Sequence, residues 1–251
     1  MIPKIIHYCW LGLDPMPKDI QRWMKSWLKV NPGFELMLWD KNNSDIEALP
    51  WTSEAFSAKK WAFASDYIRL KALYEYGGIY LDCDVECVRP FGELLELDYF
   101  LGIEQEKRPR VIEAAVMGCV PKIQWVKDCM DYYHSRHFIL ENGSYDMKAL
   151  PFIISTILEE KFPQMLDTLL PCDWFNANEL ERNNETRNTI TIHHFKNSWA
   201  EERCAKEREY QRFFQTFLPR KIAYKVALFW GNVKYEGIRK AFSKLKIFKK
   251  S

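Results

Sequence analysis

The stretch Ala64-Ser-Asp-Tyr-Ile-Arg-Leu-Lys-Ala-Leu-Tyr-Glu-Tyr-Gly-Gly-Ile-Tyr-Leu-Asp-Cys-Asp-Val-Glu86 constrains this chain more than any other, because it carries a charged pair through an apolar helix into a strand bearing closely spaced carboxylates. Residues 62–76 contain no Pro or Gly and set Phe63, Tyr67, Ile68, Leu70, Ala72, Leu73 and Tyr74 around most of a helical circumference, so a largely buried helix is predicted. Asp66 and Arg69, three residues apart, then share one face of it. Charges carried into such a helix are costly unless they are paired or meet a ligand. Gly77-Gly78 ends the helix, and Ile79-Tyr-Leu-Asp-Cys-Asp-Val-Glu-Cys-Val88 reads as one strand. Period two places Asp82, Asp84 and Glu86 on one side of that strand and Leu81, Cys83, Val85 and Cys87 on the other. Three like charges in a row repel, and a divalent cation relieves the repulsion; hard oxygen ligands suit Mn²⁺ or Mg²⁺, which retain waters and bridge to phosphates.

The order Ser-Asp-x-x-Arg, helix, Gly-Gly-x-Tyr-x-Asp-x-Asp resembles the sugar-binding region containing the DXD motif of family 32 glycosyltransferases. That group includes the yeast initiating α-1,6-mannosyltransferase and bacterial capsule and lipopolysaccharide enzymes. The stretch is also similar to the catalytic core of the large clostridial glucosylating toxins. Two more segments carry the resemblance: Ile2-Pro-Lys-Ile-Ile-His-Tyr-Cys-Trp-Leu-Gly12 resembles the family's opening strand, and Ile192-His-His-Phe-Lys-Asn-Ser-Trp199 its closing motif.

The resemblance implies a GT-A type α/β fold, Rossmann-like, with a mainly parallel sheet flanked by helices. It implies metal-dependent transfer of a hexose-type sugar, with retention of configuration, from a nucleoside-diphosphate donor (UDP-sugar favoured) to a saccharide acceptor in capsule or lipopolysaccharide synthesis. Asp84 is then the first metal ligand, and Asp82 a ligand or a partner of ribose and sugar hydroxyls. Asp66 and Arg69 would hydrogen-bond the transferred sugar, the alternative being an internal ion pair that holds helix to sheet. Trp10 occupies the position that stacks on the nucleotide base, and His193, favoured over His194, completes the metal shell. Ser198 and Trp199 would follow near the diphosphate as a water-excluding lid. Glu113 matches a stretch that carries polar residues on the acceptor side of the sugar. His7, His134 and His137 are read as structural or surface residues.

Other properties agree. A chain of 251 residues with 47% hydrophobic and 15% aromatic residues can bury one large core. Met1-Ile-Pro-Lys-Ile-Ile-His leads into a strand and does not read as a signal peptide, and no segment reaches the ~18 uninterrupted apolar residues of a membrane span. Seven cysteines, odd in number and scattered through predicted core elements, favour reduced thiols and a cytoplasmic setting. Cys83 and Cys87 lack a second pair at metal-site spacing and are read as packing.

Charge divides the chain. Residues 219–251 hold ten Lys or Arg and one acid, Glu236, for +9, while residues 1–218 hold 26 bases and 33 acids, for −7. The chain is accordingly divided into a catalytic domain, 1–218, and a basic helical extension, 219–251. In that extension Ile222–Trp230 and Ile238–Phe248 mix bulky apolar residues with bases, the make-up of an interfacial helix on an anionic membrane. The expected location is peripheral, on the inner face of the membrane, where a lipid-linked acceptor would suit the tail. Nucleic acid is not expected as a partner, because the bases sit beside bulky aliphatics rather than lining a groove.

Strands over 5–10, 34–39, near 99–103 and over 111–120, alternating with helices over 18–29, 122–135 and 147–161, favour a mainly parallel sheet whose strand ends deliver Trp10, Asp82 and Asp84. Two other classes are set beside the transferase. A sugar nucleotidyltransferase normally opens with a Gly-rich basic loop, whereas Leu11-Gly-Leu-Asp-Pro-Met-Pro-Lys18 has one glycine and one lysine. A non-catalytic nucleotide-sugar-binding module would have less reason to keep both carboxylates, Asp66, Arg69 and the closing motif together.

Overall fold

Ile5–Cys9 (β1), Lys18–Val30 (α1) and Glu35–Trp39 (β2) form a parallel βαβ unit in which Ile6 pairs with Leu36. The structure, a computed structural model, describes residues 1–12, 14–105, 111–175, 185–195 and 210–236, the last range without 212, 215 and 219. Two helices follow β2, Pro50–Ser57 (α2) and Trp61–Tyr76 (α3), and return the chain to Gly78–Leu81 (β3). Strand β3 lies parallel to β1 on the side away from β2. The chain therefore leaves β1 in opposite directions, which opens a crevice at the carboxyl ends of β1 and β3 where an open α/β sheet receives ligands.

Tyr99–Gln105 (β5) and Val111–Cys119 (β6) complete a five-stranded sheet of order β2-β1-β3-β6-β5. β6 runs antiparallel to both β3 and β5, so four of the five strands point the same way. Apolar clusters cover both faces. Tyr80, Ile112, Ala114 and Met117 pack with α2, α3 and two later helices, Gln124–Asp131 (α4) and Leu150–Lys161 (α5). Ile6, Ile79, Leu81 and Val116 pack with Trp27 of α1, Phe91, Phe100 and Phe175, the last residue of Cys172–Phe175 (α6). Burial on both faces explains why β6 is a continuous apolar run broken by a single acid, Glu113.

The join between α3 and β3 depends on two glycines. Gly77 (φ 65°) donates its N–H to Leu73 O at 2.9 Å, and Gly78 (φ 97°) passes so close to β1 that a Cβ there would lie 2.7 Å from Ile5 O.

The single strand expected over 79–88 is instead two short ones. After Leu81 the Asp82 N–H still pairs with Ala115 O at 2.9 Å, but a turn closed by Val85 N–H on Asp82 O at 3.0 Å redirects the chain. Val85–Cys87 (β4) then pairs antiparallel with Thr191–His193 (β7) in a separate two-stranded sheet. The turn breaks up a row of three carboxylates that a straight strand would have aligned.

The chain divides into two compact units, Met1–Phe195 and Lys196–Ser251. In that unit Arg220–Glu236 forms a helix (α7) with Ala223 and Ala227 buried and Ile222 and Trp230 exposed. No helix among the described residues is long and apolar enough to cross a membrane. None of the six described cysteines is in a disulfide.

Candidate active site

Arg69 is buried on the sheet-facing side of α3, 6% exposed, and its guanidinium gathers the site from behind. Nη1 lies 3.2 Å from Asp82 Oδ1 and donates to Ala114 O at 3.1 Å. Nη2 donates to Ser65 Oγ at 3.0 Å and lies 3.6 Å from Asp66 Oδ1, while the plane sits over the Tyr80 ring at 4.4 Å. Nε is buried without a hydrogen-bond partner. Burial opposes the charge on Arg69, but Asp82, Tyr80 and Asp66 more than restore it and raise its pKa. Burial pushes the Asp66 carboxyl up to about 7, against the pull of Arg69. Asp82 is likewise raised by burial, with Arg69 pulling it down and Asp84 adding to the rise. Asp82 Oδ1 also accepts the Tyr80 hydroxyl at 2.9 Å. The side chains expected to bind sugar thus form a continuous network with the first carboxylate of the pair, the arrangement of an ion pair joining helix to sheet.

Asp82, Asp84 and His193 form the candidate metal centre: one ligand atom from each lies within 4.8 Å of the others. Two carboxylates and an imidazole fit Mn²⁺ or Mg²⁺ in chemistry and in spacing. His193 is brought in by β7, whose pairing with β4 is extended by the His194 N–H on Asp84 O at 3.0 Å. Its Nε2 lies 3.5 Å from Asp84 Oδ1, its Nδ1 3.5 Å from Glu113, and its ring stacks on Phe195 with centroids 3.8 Å apart. Burial would lower the His193 pKa, yet Glu113 and Asp84 raise it well above the ordinary value.

Other candidates separate. Glu86, expected beside Asp82 and Asp84, instead meets His194 Nε2 at 2.9 Å, and the His194 ring stacks on Trp23 at 3.9 Å. Burial lowers the His194 pKa, with Glu86 opposing. The structure therefore gives the two adjacent histidines different partners, with His193 on the pair of aspartates. Trp10 stands just past β1, half-buried, with Nε1 donating to Asp14 O at 3.1 Å and its ring packed beside Trp23 and Cys83. Glu113, expected beside the acceptor, is 2% exposed and faces His193, because every residue of β6 is enclosed between the two cores. Ser198 and Trp199 lie outside the described residues. The structural reading of His7 agrees with its contacts to Gly77 O and Trp39, and His134 and His137 meet Asp131 and Glu54.

The contact between Glu113 and His193 was not anticipated. The signal available in the sequence was a lone acid in the apolar run Val-Ile-Glu-Ala-Ala-Val-Met: such an acid requires a partner, but its spacing does not say which.

Residues 17–101 match the family described as the glycosyltransferase sugar-binding region containing a DXD motif. An uncharacterised glycosyltransferase of Acanthamoeba polyphaga mimivirus is 36% identical over 110 residues, which cover 40% of this chain and 42% of that protein. A mannosyl phosphorylinositol ceramide synthase of Saccharomyces cerevisiae is 31% identical over 126 residues, covering 49% of this chain and 32% of that protein. The matches thus span less than half the length of these relatives. Among solved structures the PaToxG glycosyltransferase superposes with a TM-score of 0.50 at 17% identity, over 65% of this chain and 71% of that one. At that identity the likeness is one of fold, and the fold is of the GT-A type. The region that holds Asp66, Arg69, Asp82 and Asp84 is thus similar to the glycosyltransferase sugar-binding region containing a DXD motif.

Proposed function

We propose that the protein transfers a hexose-type sugar, with retention of configuration, from a nucleoside-diphosphate donor, UDP favoured, to a saccharide acceptor of the capsule or lipopolysaccharide kind. The observation that carries this reading is the convergence of Asp82, Asp84 and His193 at the carboxyl ends of β1 and β3, inside a chain whose residues 17–101 match the DXD region. These three side chains would hold Mn²⁺ or Mg²⁺. The chemistry such a cation would supply there is neutralisation of charge developing on a leaving diphosphate.

The chain's own residues supply the rest. Arg69 keeps Asp82 aimed at the crevice, since its Nη1 is shared between Asp82 and Ala114 O. Asp66, held beside Arg69 with 3.6 Å between Oδ1 and Nη2, would offer its carboxyl to a sugar hydroxyl. Trp10, half-buried just past β1, would supply an aromatic contact with a base. Ser198 and Trp199 would close over the diphosphate. In α7 the exposed Ile222 and Trp230, together with Lys225 and Lys234, support attachment to an anionic membrane surface, where a lipid-linked acceptor would be met at the inner face.

The test is thermal unfolding against UDP, GDP and CMP, each with Mn²⁺ or with EDTA. Ligand at about a hundred times its dissociation constant stabilises a fold by roughly 2.7 kcal/mol. One nucleotide should raise the melting temperature only with Mn²⁺, and Asp84→Ala should abolish that rise. Absence of a shift with any of the three nucleotides, or a shift insensitive to EDTA and to Asp84→Ala, would overturn the reading.

A further inference from the structure

We infer that Glu113 is the positioning residue of His193: its carboxylate receives the imidazole Nδ1–H and so turns Nε2 toward Asp84. The inference rests on the reading of Asp82, Asp84 and His193 as the cation site.

Glu113 is the one acid in a strand whose residues are all buried, and a carboxylate enclosed there is costly unless its oxygens are engaged. Two groups engage it. Oε1 accepts the Ala115 N–H at 2.9 Å, which pins the carboxylate to its own strand. Both oxygens lie 3.5 Å from His193 Nδ1. The opposite ring nitrogen, Nε2, is 3.5 Å from Asp84 Oδ1, and the Phe195 ring covers one face of the imidazole. The histidine is therefore gripped at one nitrogen and on one face, with the other nitrogen directed at the pair of aspartates.

The contact also joins two sheets. Glu113 belongs to the five-stranded sheet and His193 to the two-stranded one, and β4, which pairs with β7, directly follows the turn that carries Asp82 and Asp84. Histidines that ligate metals commonly donate their other N–H to a carboxylate, which fixes the tautomer and the ring orientation. Loss of such a partner costs 10–100-fold in metal affinity.

The experiment compares wild type with Glu113→Gln, which keeps the side-chain volume and one acceptor oxygen. Two readouts are taken without nucleotide: Mn²⁺ binding by paramagnetic resonance of the free ion, and long-range ¹H–¹⁵N spectra of His193 at a pH where its ring is neutral. The wild type should show the Nδ1–H tautomer, and Glu113→Gln a shift toward Nε2–H, with Mn²⁺ affinity about 10–100-fold weaker and metal-free melting nearly unchanged. Glu113→Asp, whose shorter side chain cannot reach as far, should behave like Glu113→Gln. An unchanged tautomer, or unchanged Mn²⁺ affinity, overturns the inference. If the wild type binds no Mn²⁺ at all, the cation reading falls, and the tautomer comparison still decides for or against Glu113.

Discussion

Arg69 Nη1 on α3 stands 3.2 Å from Asp82 Oδ1 at the end of β3, so one buried cation ties the longest helix of the first unit to the carboxylate pair. Its removal would leave Asp66 and Asp82 facing each other without compensation. Breaking a buried ion pair from one side costs about 3–5 kcal/mol. At this chain length each kcal/mol is worth roughly 2–4 °C. Arg69→Ala is therefore expected to melt about 6–20 °C below wild type. Arg69→Lys keeps the charge but not the fork that reaches Asp82, Ala114 and Ser65 together, and should lie between the two. Differential scanning calorimetry measures both, and an Arg69→Ala protein as stable as wild type would contradict the role given to this side chain.

His7 provides a pH dependence of definite sign. Its Nε2 donates to Gly77 O at 2.8 Å and its Nδ1 accepts the Trp39 indole N–H at 3.2 Å, a pattern open only to the neutral ring. Burial lowers its pKa below the ordinary 6.5, with the bond to Gly77 opposing. The unfolded chain then binds a proton below pH 6.5 that the native protein resists. The stability contribution of His7 is full above pH 6.5 and is lost as the pH falls from there toward the native pKa, by at most about 1.4 kcal/mol per pH unit. Urea unfolding at pH 5.5 and 7.5 should show a larger loss in wild type than in His7→Gln. Equal losses would show that the imidazole is not the group responsible.

Gly78 tests the turn into β3. At φ 97°, with a Cβ only 2.7 Å from Ile5 O, an alanine meets both backbone strain of about 1–3 kcal/mol and a backbone clash with β1. Gly143 has φ 78° but open space around it, so Gly143→Ala carries the strain alone. Gly78→Ala should lower the urea midpoint clearly more than Gly143→Ala, with unchanged m values. The reverse order would mean that the close approach of β1 and β3 relaxes without cost.

The tail can be tested by deletion. Protein ending at Leu218 lacks ten Lys or Arg together with the apolar residues among them. The full chain should pellet with anionic but not neutral vesicles, less so as salt is raised, and the truncated chain should stay in the supernatant. Co-sedimentation of the truncated protein would place the membrane contact elsewhere.

What could be read from the sequence alone was what depends on neighbours along the chain. The helix expected over 62–76, observed over 61–76, follows from a stretch free of Pro and Gly with apolar residues around most of its circumference, its end from Gly77-Gly78, and the pairing of Asp66 with Arg69 from their spacing of three. The Asp-x-Asp pair and the closing histidines were likewise legible as a candidate site. Contacts between distant segments were decided only by the tertiary structure. The turn at Asp82–Val85 splits the predicted strand because Ala115 claims the Asp82 N–H while β7 claims β4, and neither partner is near in sequence. Glu113 and His193 are 80 residues apart, and nothing in the periodicity of either strand aims one at the other. His7, kept neutral by burial, meets Gly77 O and Trp39 for the same reason. Local pattern determines which face of an element is apolar and where the element stops. Which buried polar group answers which is determined by the packing of whole sheets, because each such group, once deprived of water, must be met by whatever the fold brings to it.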